Sequence, residues 1–195
     1  MLDTDTQGAT LMVSMQNGDE SALTMLIDLW QLALLRFVFR YVQNETDARD
    51  IVHETFVRLY DKRQSFRRGA SFSGWIFTIA ANLARNHVRW RKRHPSAALP
   101  NYNDSYAFRE FACDAQMPHE NVLALERVQA VRAAIDGLSH DLKTTLLLFE
   151  YEEFSYRQIA QVVGCSEKGV EARLARARAQ LRKRLAVYLN GSAPP

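Results

Sequence analysis

Apolar positions recur along this chain at spacings of three and four, which predicts helices almost throughout. Leu23, Leu26, Ile27, Trp30, Leu34, Phe37, Val38 and Tyr41 form the first stripe, on a helix that Asp19 can cap and that runs to about Val42. Thr46 is placed to cap a second helix, with Asp47 and Asp50 in the first turn, where the helix N-terminus favours negative charge. Its inner face is Ala48, Ile51, Val52, Phe56 and Leu59. The polar stretch DKRQSFRRGAS reads as a loop. Ser71 or Ser73 can cap a third helix carrying Trp75, Ile76, Ile79, Ala80 and Leu83, which continues to Arg93 and is stopped by Pro95.

Between Pro95 and Pro118 the period is lost among prolines and turn formers, so residues 96–117 read as a linker. Its Tyr102, Tyr106, Phe108 and Phe111 are either a docking surface or a loosely packed loop, and both readings stand. Periodicity resumes at Pro118, a good first-turn residue, with Val122, Leu125, Val128, Val131, Ala134, Ile135 and Leu138. Gly137 weakens the end of that helix, and Ser139 or His140 opens the next, which carries Leu142, Thr145, Leu146 and Phe149. A short helix over Ser155–Val163, a turn at Gly164-Cys165 and a long basic helix from Ser166 to about Leu189 follow. The fold class expected is all-α: two small helical domains, 8–95 and 118–190, joined by the linker, the C-terminal one a helix-turn-helix. Each is near the small end for independent stability.

Charge changes this picture by its placement more than its sum. The 195 residues hold 25 Lys+Arg and 22 Asp+Glu, a net +3. Residues 82–94 contain five basic side chains and no acid, and residues 166–187 contain seven basic against two acidic, so each segment is +5 and the remainder is −7. Two basic helices, one per domain, on an otherwise acidic protein point to a polyanion, with DNA or RNA favoured over a membrane surface. The final helix lacks the broad apolar face of a membrane-surface helix; Val170, Leu174, Leu181, Leu185 and Leu189 suit core packing instead. At 47% apolar and 24% charged residues, the composition is that of a folded protein rather than a disordered one. Cys113 and Cys165 have no metal-ligand spacing and suit a reducing compartment. The acidic, polar N-terminus is unlike a secretory signal, and charges interrupt the most apolar stretch, so the expectation is a cytoplasmic protein without membrane insertion and without a cofactor or metal.

FSYRQIAQVVGCSEKGVEARLARARAQLRKRL carries the helix-turn-helix pattern. Ile159 and Ala160 face inward, Gly164 frees the backbone for a tight turn, Ser166 caps the second helix, and Val170 and Leu174 pack back on Ile159 and Val163. Gly169 stands where Glu or Gln would complete a capping box. In such a motif the second helix enters the major groove with its first turns at the base edges, which makes Glu167, Lys168, Glu171 and Ala172 candidates to face bases. Arg173 and Arg176 are candidates for phosphate contacts, which position without specifying. A solvated surface role for Lys168 and a plain ion pair for Glu171 are the competing readings.

With DARDIVHETFVRLY at 47–60, SFSGWIFTIAANLARNHVRWRKR at 71–93 and the helix-turn-helix followed by RARAQLRKRL, the chain resembles a bacterial RNA polymerase sigma factor of the sigma-70 family, extracytoplasmic-function group. The resemblance covers nearly the whole chain outside linker and tails. It implies a promoter-specificity subunit that binds core RNA polymerase, recognises −35 and −10 elements and assists promoter opening. It also implies an anti-sigma partner, membrane-bound or soluble. The helix matching Asp47–Tyr60 would meet the polymerase clamp, through Asp47, Asp50, His53, Glu54 and Arg58. The segment matching Ser65–Arg93 would hold the single-stranded non-template strand at −10. A positive groove with aromatic platforms and polar groups suits that task, and the segment offers Phe66, Arg67, Arg68, Phe72, Asn82, Arg85, Asn86, Arg89 and Trp90. Trp75 is read as a core residue, and Phe72 as either core or platform. Ser166, Glu167, Lys168, Glu171, Ala172, Arg173 and Arg176 would meet duplex at −35. Members commonly read Thr-Val-Lys/Arg-Ser-Arg where this chain has Gly169, Val170, Glu171, Ala172 and Arg173, which implies a different −35 preference or lighter use of that element.

Two other classes compete. A dimeric helix-turn-helix regulator needs one DNA-binding domain and a self-complementary interface, not a second, unlike basic domain. An enzyme needs a catalytic constellation, and the sequence has no nucleotide-binding glycine loop or His-x-x-x-His pair.

Overall fold

Nine α-helices make up the described residues, 2–94 and 122–189, of the computed structural model, whose side chains are described for 4–94 and 126–188. They are α1 (Leu2–Gln16), α2 (Ser21–Val42), α3 (Glu45–Asp61), α4 (Phe72–Arg93), α5 (Val122–Asp136), α6 (His140–Glu150), α7 (Tyr156–Val163), α8 (Glu167–Arg184) and α9 (Ala186–Leu189). The linker aromatics and the helix start expected at Pro118 lie outside the described residues.

Local chemistry moves several expected boundaries. Asn44, not Thr46, caps α3: its side chain accepts from the Asp47 amide at 2.8 Å. The turn before it is closed by Gln43 in the left-handed region, φ 60°. Asp19 accepts from the amide and hydroxyl of Ser21 just ahead of α2. Ser71 caps α4, accepting from the Gly74 amide at 3.1 Å. The loop after α3 holds a 3-10 turn, Arg63–Ser65. The basic C-terminal helix does not run unbroken to Leu189; it breaks at Leu185.

The acidic N-terminal segment, which shows no strong apolar stripe, is nevertheless the helix α1. Met12 and Met15 are buried on it, and it packs on α2 and α4. Gly8 is what allows the approach: a Cβ there would lie 2.5 Å from the Phe72 ring and 3.0 Å from the Trp30 nitrogen. The far end of α1 is tied by Asp5, which accepts from the Ser73 amide at 2.6 Å.

α2 is long and apolar enough by composition to cross a membrane, but Leu26, Trp30, Leu34, Phe37 and Val38 are buried, and the helix packs against α1, α3 and α4. Trp30, Phe37, Phe66, Phe72 and Phe77 form the aromatic centre of this half. Each ring pair is tilted or edge-on, the arrangement that ring quadrupoles favour.

In the second half α6 is buried over most of its circumference, from Leu142 to Leu148, between its neighbours. Of the stripe expected on α5, Ala134 and Ile135 are buried, as is Leu138 beyond its end, whereas Val131 is exposed.

The two halves touch. α4 packs on α7 and α2 on α6. Phe154 stacks edge-on against Phe77, centroids 4.9 Å apart. Lys143, 3% exposed, donates to the Tyr41 carbonyl at 2.6 Å and to Asp136 at 2.8 Å. The carbonyl it reaches belongs to the last turn of α2, where the helix leaves acceptors unpaired and favours a cation.

Candidate nucleic-acid interface

α4 is anchored at its start and basic at its end. Its first half is buried from Phe72 to Ala84, except for one flank. Beyond that, Asn82, Asn86, Arg89 and Trp90 are exposed. Asn82 and Asn86 are one turn apart, as are Arg85 and Arg89, so the four make neighbouring lines on one surface. The Asn82 side chain accepts from Arg85 Nη2 at 3.1 Å. Arg85 is half-buried, and its Nε has no hydrogen-bond partner among the described residues. Trp90 is 46% exposed, with one face stacked on His94 at 4.9 Å.

The remaining residues expected on this surface divide. Arg67 and Arg68 are exposed in the loop before α4. Phe66 and Phe72 are 5% and 0% exposed and belong to the core, packed on each other and on the half-buried Trp75. The stacking face of the set is therefore offered by Trp90. Arg91 is also spoken for: it donates to Asp47 at 2.7 Å. His87 Nε2 lies 3.0 Å from the same oxygen, an ion-pair distance when the imidazole is charged, but not aligned as a hydrogen bond.

The helix-turn-helix is well formed. Ser155 and Gln158 make a reciprocal capping box at the start of α7. Gly164 adopts φ 63°, the left-handed region where a side chain would be strained, and ends α7. Ser166 accepts from the Gly169 amide at 3.2 Å and starts α8. Ile159, Val170 and Leu174 are fully buried between the two helices and α6. This leaves Ser166, Glu167, Lys168, Glu171 and Arg176 exposed on the first turns of α8, with Ala172 half-buried. Arg173 is held within the fold, donating to the Val163 carbonyl at 3.2 Å and pairing with Asp141 at 3.0 Å.

α3 presents a third surface. Asp50 and His53 are exposed, and Glu54 and Arg58 pair with each other at 2.7 Å one turn apart. Beside them α2 and α3 enclose an apolar groove of about 800 Å³, lined by Ile27, Leu32, Val52, Phe56, Val57 and Tyr60 together with His53. Leu32 and Val57 are 40% and 42% exposed, so the groove has no cover in the described chain. Periodicity assigns Val52 and Phe56 to the core; it does not show that the groove between the helices stays open.

Comparison with known proteins agrees with this geometry. The Sigma-70 region 2 family matches residues 26–94, which hold the α3 and α4 surfaces, and Sigma-70, region 4 matches residues 128–181, which hold the helix-turn-helix. The RNA polymerase sigma-H factor of Pseudomonas aeruginosa is 32% identical over 184 residues, 93% of this chain and 95% of its own. The chain belongs to the sigma-70 family. The ECF RNA polymerase sigma-E factor of Haemophilus influenzae, 30% identical over 90% of this chain and 93% of its own, places it in the extracytoplasmic-function group. Among solved structures, the sigma factor RpoE in complex with the anti-sigma factor NepR from Bartonella quintana is similar at TM-score 0.60 and 26% identity, over 84% of this chain and 96% of that one. As a sigma factor the chain binds core RNA polymerase, recognises −35 and −10 promoter elements and takes part in opening the promoter, without catalytic chemistry of its own.

Proposed function

We propose that the promoter is divided between α4 and α8, and that α3 carries the polymerase. On this reading residues 8–95 form the region that binds core enzyme and melts the −10 element, 96–117 connect, and 118–190 read −35. Asn82, Asn86, Arg89 and Trp90 hold the non-template strand after it leaves the duplex, with Arg67 and Arg68 on its phosphates. Arg85 supports Asn82, and the buried Phe66 and Phe72 set the loop and the start of α4. Extruding one base costs about a few kcal/mol, which stacking on Trp90 and hydrogen bonds from the Asn pair offset. Ser166, Glu167, Lys168, Glu171 and Ala172 face the −35 bases and Arg176 a phosphate, while Arg173 fixes α8 onto α7. Asp50, His53, Glu54 and Arg58 beside the apolar groove meet the polymerase, and Asp47 clasps α3 to α4 beneath them. An anti-sigma factor is the regulatory partner, a reading supported by the likeness to RpoE in its complex with NepR.

The observation that carries this reading is the exposed Asn82–Asn86–Arg89–Trp90 surface on a helix whose opposite side is core. Transcription in vitro with added core polymerase tests it. Asn82→Ala should reduce permanganate reactivity at −10 while co-purification with core is retained. Specific binding of the chain alone to linear duplex, unaffected by core, would instead support a free-standing regulator and overturn the division proposed here.

A further inference from the structure

α1 lies ahead of residues 26–94, the segment that matches Sigma-70 region 2, yet its two ends bond to the two ends of the loop that carries Arg67 and Arg68. At the entry to the loop the Gln16 side-chain nitrogen donates to the Arg63 carbonyl at 2.7 Å and to the Phe66 carbonyl at 2.9 Å. Both protons of that amide are thereby used. The Gln64 side chain returns a bond to the Gln16 carbonyl at 3.3 Å. At the exit, Asp5 accepts from the Ser73 amide at 2.6 Å and from the Ser71 hydroxyl at 3.3 Å. Ser71 is the cap of α4, so Asp5 also places a carboxylate at the N-terminus of that helix, where negative charge is favoured.

These contacts share one face of α1. Asp5, Gly8, Met12 and Gln16 recur at helical spacing, and burial of Gly8, Met12 and Met15 fixes the helix along its length. Between Asp5 and Gln16 the helix rises about 16 Å, so it spans the loop from entry to exit. Arg67 to Ala70, all exposed, stand between the two anchors. They make a single turn: the Ala70 amide donates to the Arg67 carbonyl at 3.0 Å, and Gly69, at φ 82°, takes the third position, where a left-handed residue is required. Neither guanidinium has a partner among the described residues, so what aims the two arginines is the backbone that the anchors hold.

We propose that α1 braces the strand-holding loop, and that Gln16 and Asp5 are positioning residues for promoter opening which act through Arg67 and Arg68. The inference rests on the reading that places those arginines on the phosphates of the displaced strand. A polar loop without anchors is ordered only as the strand binds, and the lost freedom opposes capture. Anchored at both ends, this loop offers two guanidinium groups already in place. Core binding is separate. α1 packs on α2, α4 and the 3-10 turn, whereas the exposed Asp50 and His53 and the Glu54–Arg58 pair are on α3.

The test uses the full chain with Gln16→Leu, which removes both donors at little change in size, and Asp5→Ala at the other anchor. Gln7→Ala, on the exposed side of α1, is the control. Opening is followed with core polymerase by 2-aminopurine fluorescence in the non-template strand at −10, and core affinity by anisotropy. Each anchor variant should lose about five- to tenfold in opening, as one or two hydrogen bonds imply, with core affinity within about twofold of the parent. Asp5→Asn, which still accepts from the Ser73 amide, should recover most of the loss. Arg67→Ala/Arg68→Ala should lower opening as well, and adding Gln16→Leu to that pair should change it by no more than about twofold. Salt dependence reads the phosphate contacts directly. On a pre-melted promoter the slope of log affinity against log salt should flatten by about 1.4 without the two arginines, at about 0.7 for each single-stranded phosphate, and part of that way in Gln16→Leu. Unchanged opening in both anchor variants, with the arginine pair still required, would overturn the brace and leave the −10 assignment standing. Equal losses of opening and core affinity would also overturn it, by making α1 a general stabilising helix. An arginine pair that can be removed without effect would sink the reading beneath the brace, and the brace with it.

Discussion

Asp47 shows how the structure changes the meaning of an acidic residue on the polymerase-facing helix. Its carboxylate accepts from Arg91 at 2.7 Å, has His87 at 3.0 Å, and sits in the first turn of α3. Replacing it by Ala removes one charge-assisted hydrogen bond, of about 1.5–3 kcal/mol when well buried, and a favourable helix-terminus charge of about 0.3–1 kcal/mol. Exposure lowers the total. Asp47 is 22% and Arg91 34% exposed, so the freed guanidinium can turn to water instead of remaining a buried charge. The expected loss is about 1–2 kcal/mol. Denaturant unfolding of the parent, Asp47→Ala, Arg91→Ala and the double variant measures the coupling directly, and a coupling energy of about 0.5–2 kcal/mol is expected. Affinity of folded Asp47→Ala for core polymerase should change by no more than about twofold. Additive stability effects, together with a tenfold or greater loss of core affinity, would refute the clasp and return the carboxylate to the polymerase contact.

Three other outcomes follow from the packing. Phe72→Ala should cost about 3–5 kcal/mol in unfolding, since the ring is fully buried against Trp30 and Phe66, and thermal denaturation would show it. Ser166→Ala removes the α8 cap and should cost about 1 kcal/mol, seen as faster amide exchange at Gly169 than at Leu174. Burial lifts Glu152 from 4.5 to about 7 against the opposing pull of Arg40 and Arg36, and burial, helped by Arg85, lowers His140 from 6.5 to about 4. For Glu152, stability is greatest below the unfolded value and declines as pH rises from about 4.5 to 7. For His140, stability is lost as pH falls from about 6.5 to 4. The two oppose each other, so the parent should vary little with pH across this range, whereas Glu152→Gln should gain on it steadily from pH 4.5 to 7 in denaturant melts.

The helices with strong stripes were legible from residue spacing alone: α2, α3 and α4 carry Leu26–Trp30–Leu34, Ile51–Val52–Phe56 and Ile76–Ala80–Leu83 inward as the period of 3.6 requires. α1 was not, because its burial depends on Gly8 meeting Phe72 and Trp30, residues 64 and 22 positions away along the chain. The helix-turn-helix was readable to the residue at Gly164 and Ser166, where backbone chemistry is local. The seam between the two halves was not. Tyr41, His140, Lys143 and Glu152 look like ordinary members of their helices, and only the packing of the halves brings them together. Lys143 lies off the stripe of Leu142, Thr145, Leu146 and Phe149, so spacing assigns it to the outer face, and only the contact with α2 accounts for its burial. The same logic explains the polar residues of the interface. Asn82 and Asn86 stand out because asparagine forms helices poorly, whereas Phe66 and Phe72 could be placed only once the aromatic cluster was in view.

Site-specific photo-crosslinking tests most directly whether the two basic helices take the two promoter elements. A benzophenone side chain at Asn86 and, separately, at Lys168 is carried into a complex with core polymerase and a promoter fragment labelled on each strand in turn. The expected pattern is non-template crosslinks near −10 from position 86 and duplex crosslinks near −35 from position 168. Crosslinks from both positions to one region, or from position 86 to protein alone, would contradict it.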